Sequence, residues 1–209
     1  MPQDHEPHAS APGRPGAVRS RLGLPPRWDR IALVGSLGVL SAVSPMATDM
    51  YLASMPEMAQ WFGTPVSLVQ LSLTAYMVGM AGGQFLLGPL SDVVGRHRLM
   101  VAGNLVFLLS SVGIILAPGI GVVLALRLLQ GISGAAGVVI ARAVVSDIAR
   151  GHRAAQMYSV LSLITSLAPV VAPLAGGVIA TVADWRTAFA VLAVFGAVML
   201  ACSVLVIPE

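Results

Sequence analysis

Among the ionisable side chains inside long apolar stretches of this 209-residue sequence, two stand out, Asp49 and Arg127. An ionisable group near the centre of a bilayer costs roughly 2.5–3.5 kcal/mol on insertion scales, so a chain that keeps one there uses it for pairing or for chemistry. With about 1.5 Å of rise per helical residue, Asp49 falls about 8 Å before the outer end of the first apolar segment. Arg127 falls about 10 Å after the outer start of the fourth. The two therefore share a depth. One reading pairs them, or sets both on a water-filled cavity where the carboxylate exchanges a proton. The other sends Arg127 to the outer surface by snorkelling and leaves Asp49 to cap a helix end broken just after Pro45. Spacing leaves both open.

Gln70, Tyr76, Gln84, Asn104 and Gln130 are uncharged polar residues in or near apolar runs. They either line a substrate path or hydrogen-bond neighbouring helices. Met46 and Met50 stand one helical turn apart, and Met77 and Met80 follow in the next segment, which fits an adaptable apolar lining as well as ordinary packing. His5 and His8 lie near the N-terminus and His97 and His152 in short polar breaks, so no helix face offers two ligands at metal-binding spacing, and no metal site is expected. The sole cysteine, Cys202, lies in an apolar run, which excludes a disulfide framework.

The elements that must hold these residues are membrane helices. The sequence is 56% hydrophobic and 10% charged, with mean hydropathy +0.86, whereas a soluble domain carries about 25% charged residues. Six apolar segments are long enough to cross a bilayer: 31–54, 66–88, 99–117, 120–149, 155–182 and 185–207. Residues 1–30, rich in Pro, Gly, Arg and His, read as a disordered cytoplasmic tail; residues 31–209 form the six-helix bundle. There is no lysine. Nine arginines (14, 19, 21, 27, 30, 96, 98, 150 and 153) fall on one side of the predicted bundle and only Arg186 in the opposite loops, which predicts that both termini are cytoplasmic. No aromatic-interleaved basic patch accompanies them, so nucleic acid is not an expected partner. Small residues at Gly79-x-x-x-Gly83 and Gly131-x-x-x-Ala135 permit close helix packing.

The stretch Gly88-Pro89-Leu90-Ser91-Asp92-Val93-Val94-Gly95-Arg96-His97-Arg98 resembles the signature loop of the major facilitator superfamily. That resemblance implies a conformational latch at Gly88, Asp92, Gly95 and Arg96, with Asp147 at the end of helix 4 as partner; Val93 and His97 depart from the basic residues usual there. The run Arg127 to Ala136 resembles the family's helix 4 motif, whose arginine is tied to proton coupling. Ala172-Pro173-Leu174-Ala175-Gly176-Gly177 resembles its antiporter motif, implying a role for Pro173, Gly176 and Gly177, with Ala172 where glycine is usual. Ser44 to Leu52 is similar to the bicyclomycin-resistance and chloramphenicol-exporter (Bcr/CflA) subfamily. It implies Asp49 as a coupling group. The residues expected on the substrate path are Met46, Met50, Tyr51, Tyr76, Gln84, Asn104 and Gln130.

The expected fold is an all-α membrane protein of six transmembrane helices, the N-terminal half of a major facilitator fold, in the inner membrane. The expected function is efflux of drug-like amphipathic molecules, driven by protons without a cofactor and completed by a second six-helix half. A metabolite exporter on the same scaffold and a non-transporting fragment or assembly partner are the alternatives. An enzyme is not expected, because no nucleophile and base share a depth.

Overall fold

Helix 1 is interrupted twice, and its prolines account for much of its shape. In the computed structural model, which describes residues 26–206 and their side chains from Ile31 on, α1 spans Pro26–Ser41 and α2 spans Val43–Asp49. Pro45 has no N–H to offer the Ser41 carbonyl four residues back, and α1 ends at Ser41. Beyond α2 the chain turns through Met50 and Tyr51 into a short 3-10 turn, Leu52–Ser54, and α3, Met55–Phe62. Pro56 lies in the first turn of α3, where a missing N–H costs nothing. Gly63, at φ 61°, ends α3 in the left-handed conformation. The first span thus runs on to Phe62, past the predicted end at residue 54, because α3 continues the helix path beyond the apolar run. It also begins at Pro26, inside the segment predicted to be a tail; the rest of that tail lies outside the described residues.

The remaining spans are single helices: α4 (Val66–Val94), α5 (Arg96–Ile115), α6 (Ile120–Ile148), α7 (His152–Val182) and α8 (Trp185–Leu205). Among the described residues there are thus six helical segments long and apolar enough to cross a membrane. The predicted loop 88–98 is a correction. Pro89 sits inside α4, and the connection to α5 is the single residue Gly95, at φ 99°. Glycine reaches that conformation without a Cβ clash, which permits so sharp a reversal.

Packing centres on α6, which runs against α4 on one side and α5 on another, while α8 packs on α5 and α7 on the two pieces of helix 1. Small residues set the distances. A Cβ on Gly131 would strike the Tyr76 carbonyl, and one on Gly79 the Leu128 carbonyl, so α4 and α6 meet backbone to backbone. The two small-residue motifs face each other across this contact, as dispersion-driven packing in lipid requires. Outward, α7 shows Leu163, Leu167, Leu174 and Val178, an apolar surface suited to lipid or another helical unit.

Candidate functional site

A cavity of about 320 Å³ opens between α2, α4 and α7. From α2 it takes Ser44, Pro45, Thr48 and Asp49; from α4, Tyr76, Met77, Met80, Ala81 and Gln84; from α7, Pro169. Asp49 is half-buried at its wall and is the only ionisable acid there. Thr48 spends its hydroxyl on the Ser44 carbonyl at 2.9 Å, which leaves the Asp49 carboxylate and the Gln84 amide as the strongest polar groups for a ligand. Two methionines and two prolines make the rest of the wall apolar.

Arg127 does not reach this cavity. It is 0% exposed and donates from Nη2 to the Ala47 carbonyl at 2.9 Å and from Nη1 to Gln130 Oε1 at 2.7 Å. Its guanidinium lies 4.4 Å from the Tyr51 ring centroid, 4.6 Å from Tyr76 and 5.8 Å from Phe189. Gln130 Nε2 continues the chain to Ser111 Oγ at 2.7 Å, and that hydroxyl donates to the Phe107 carbonyl at 2.8 Å. No ion pair among the described residues joins Arg127 to Asp49, so the expected pair is not made. Snorkelling is excluded as well. Ala47 O is one of the carbonyls that the end of α2 leaves without a helical partner, and the guanidinium satisfies it. Tyr76 is the link between the two residues: one side of it bounds the cavity and its ring stacks on Arg127.

Several residues expected on the substrate path lie in the core instead. Tyr51 is fully buried, its hydroxyl 3.1 Å from Ser72 Oγ. Met50 is also buried, and Met46 is half-buried against the core. Asn104 donates to Ser203 Oγ at 2.6 Å, tying α5 to α8, and Gln130 serves Arg127. Close packing holds the methionines and hydrogen bonds hold Tyr51, Gln130 and the Asn104 amide nitrogen, while Asn104 Oδ1 is buried without a partner. Tyr76 and Gln84, by contrast, bound the cavity. Gln70 is exposed near the start of α4.

At the arginine-rich end, Arg96 lies between two carboxylates, with Nη2 3.3 Å from Asp92 Oδ1 and Nη1 2.5 Å from Asp147 Oδ2. The first is a hydrogen bond; in the second the charges touch without the N–H aimed along the contact. Three helices, α4, α5 and α6, are joined there. A Cβ on Gly88 would meet only Val139, at the limit of contact. In α7, Pro173 is exposed, Gly177 faces open space, and a Cβ on Gly176 would strike the Met50 carbonyl. Gly176 therefore lets α7 press on the bend of helix 1 that carries Asp49.

Spacing did not disclose the surroundings of Arg186 or of Arg142. Arg186 donates from Nε to the Ile115 carbonyl at 3.1 Å and lies 4.2 Å from the Trp61 ring and 4.7 Å from the Trp185 ring. This arginine on the opposite end is thus held by aromatic faces and a helix terminus. Arg142, near the end of α6, is exposed; the signal that could have found it is its charge inside an apolar run.

The family model of the Major Facilitator Superfamily matches residues 37–209. An uncharacterized MFS-type transporter of Bacillus subtilis, YdgK, is 43% identical over 170 residues, 80% of this chain and 42% of that protein. The chloramphenicol resistance protein of Pseudomonas aeruginosa is 35% identical, covering 79% of this chain and 40% of its own length. The bicyclomycin resistance protein homolog of Haemophilus influenzae is 35% identical over 83% of this chain and 44% of its own length. The chain thus spans less than half the length of these curated relatives. Among solved structures, the human organic anion transporter MFSD10 superposes with TM-score 0.63 at 18% identity, over 88% of this chain and 48% of that one, which shows a shared fold.

Proposed function

Because the chain belongs to the Major Facilitator Superfamily, we propose that its bundle is one half of a proton-driven exporter of drug-like molecules. The observation that carries this reading is the position of Asp49, a lone carboxylate on the wall of an apolar cavity at the bend of helix 1. Resistance proteins among the relatives point the same way. In this reading the arginine-rich end is cytoplasmic, in line with the positive-inside rule. A second six-helix half, related by an axis along the membrane normal, closes the cavity, and rocking of the halves exposes it to each side in turn.

The residues then divide the work. Asp49 takes a proton when the cavity opens outward and loses it when the cavity opens inward, and a drug in the cavity competes with the protonated form. Met77, Met80, Pro45 and Pro169 give an apolar wall that fits varied substrates. Arg127 holds the end of α2, and through Tyr76 the cavity wall, in one arrangement. Asp92, Arg96 and Asp147 fasten the cytoplasmic ends of three helices. The decisive test is efflux of labelled chloramphenicol from proteoliposomes bearing the complete protein, with and without a proton gradient. Gradient-dependent efflux that Asp49→Asn abolishes is expected; equal efflux without a gradient would overturn the reading.

A further inference from the structure

Arg142 sits six residues before the end of α6 at Ile148, about 9 Å inside the helix end. Its exposed side chain makes no ion pair or hydrogen bond with any described residue. Its position around α6 follows from two neighbours. Arg142 comes 11 residues after Gly131, so it lies on the strip of α6 that faces α4. Its carbonyl accepts the Tyr158 hydroxyl of α7 at 3.1 Å. Tyr158 comes 11 residues before Pro169, hence on the α7 face that bounds the cavity. Arg142 and Tyr158 therefore stand between α4 and α7, on the cavity's continuation toward the arginine-rich end. Along α6, Arg142 lies about 22 Å from Arg127.

The acids of that end are already engaged. Among the described residues they are Asp92 and Asp147, and both lie against Arg96. A guanidinium on a surface that is wet in one state and covered in another needs a counter-charge in the covered state, since an uncompensated buried charge is strongly destabilising. We propose that Arg142, steadied by Tyr158, is the anion-binding half of a charged contact that closes the cytoplasmic mouth, and that its occupant is a carboxylate of a second helical half. The proposal rests on the reading that such a half covers this face, and two observations favour this occupant. The relatives are more than twice as long as the part of them this chain matches. A guanidinium also presents the planar fork that a carboxylate fills with two parallel hydrogen bonds.

The experiment uses the complete protein with Cys202→Ser and Gln84→Cys, and follows reaction of the cavity thiol with a membrane-impermeant maleimide applied from the cytoplasmic side. Opening of the mouth should raise the rate about tenfold for Arg142→Glu and about threefold for Arg142→Ala, with Arg142→Lys close to the parent. Unchanged rates for Arg142→Glu and Arg142→Ala, in protein that still reaches the membrane, would overturn the contact while leaving a covering half in place. If the parent thiol reacts as fast as one introduced by His152→Cys at the exposed start of α7, nothing covers the face and both ideas fall together. An effect of Arg142→Ala seen in vesicles containing phosphatidylglycerol and absent in neutral lipid would assign the site to a lipid phosphate and overturn the carboxylate.

Discussion

A guanidinium that is fully buried and touches no carboxylate must be held by neutral groups, and Arg127 is held by a carbonyl, an amide oxygen and three aromatic rings. Each hydrogen bond from a charged donor contributes roughly 1.5–3 kcal/mol, and a desolvated cation–π contact about 2 kcal/mol. Lysine keeps the charge but not the flat fork that spans Ala47 and Gln130. Arg127→Lys should therefore lower stability by about 3 kcal/mol, read as a fall in melting temperature of the detergent-solubilised protein. A melting temperature equal to the parent would mean the box does not hold the charge. Asp49→Asn should leave that temperature nearly unchanged and retain drug binding while removing the dependence of efflux on the proton gradient. The contrast between the two residues shows what could be read from sequence. Arg127 reaches the carbonyl two residues before Asp49, so the two do lie at a common level, although the count that placed Asp49 took the span to end at residue 54 and it runs to Phe62. Level is one coordinate of a helix and azimuth is the other. Residues 47 and 49 lie about 200° apart around α2, so the carbonyl at 47 meets α6 while the carboxylate at 49 meets the cavity. Asn104 and Gln130 went astray for the same reason: polarity marked them, and only tertiary packing shows that the Asn104 amide nitrogen turns to Ser203 and Gln130 to Arg127.

At the scale of helices, the contacts are decided where two backbones approach with no side chain between them. Gly176 and Gly177 are adjacent and chemically identical, yet a Cβ on the first would collide with the Met50 carbonyl and one on the second would meet open space. Backbone cannot give way as a flexible side chain can, so Gly176→Ala should cost about 1–3 kcal/mol and displace the bend that carries Asp49. Gly177→Ala should be near neutral. Thermal unfolding of the pair checks this, and equal effects would show that α7 does not press on helix 1. The α4 and α6 motifs were legible because close packing in lipid calls for small residues four apart. The ends of the helices were less so, since hydropathy records where apolar side chains stop and a helix continues as long as its backbone bonds are met. Hence α4 runs through Pro89 to Val94, and helix 1 resumes as α3 after its turn.

For the molecule as a whole, sidedness and completeness are linked through the cavity. Arginines gather at the end where α4 meets α5 and α6 meets α7, and reporter fusions in the 149–151 connection should accordingly read cytoplasmic and those at Gly63 external. The cavity lies between α2, α4 and α7 with Asp49 on its wall, and α7 turns Leu163, Leu167 and Leu174 away from the other five helices. A single bundle can bind a small molecule on such a face, but it has no second wall to move against the first. Alternating access needs that wall, because a site facing one continuous cavity is either open to a given side or buried at all times. Exposure of the Asp49 carboxylate to lipid would also cost roughly 2.5–3.5 kcal/mol, a penalty relieved by protonation or by association with another bundle. On the proposed reading, the 209 residues reconstituted alone should bind labelled drug weakly and fail to move it along a proton gradient, and pairing with a second six-helix half should restore both. Gradient-driven efflux from the 209-residue preparation would contradict this unless cross-linking showed paired copies, in which case two identical bundles would be supplying the two walls.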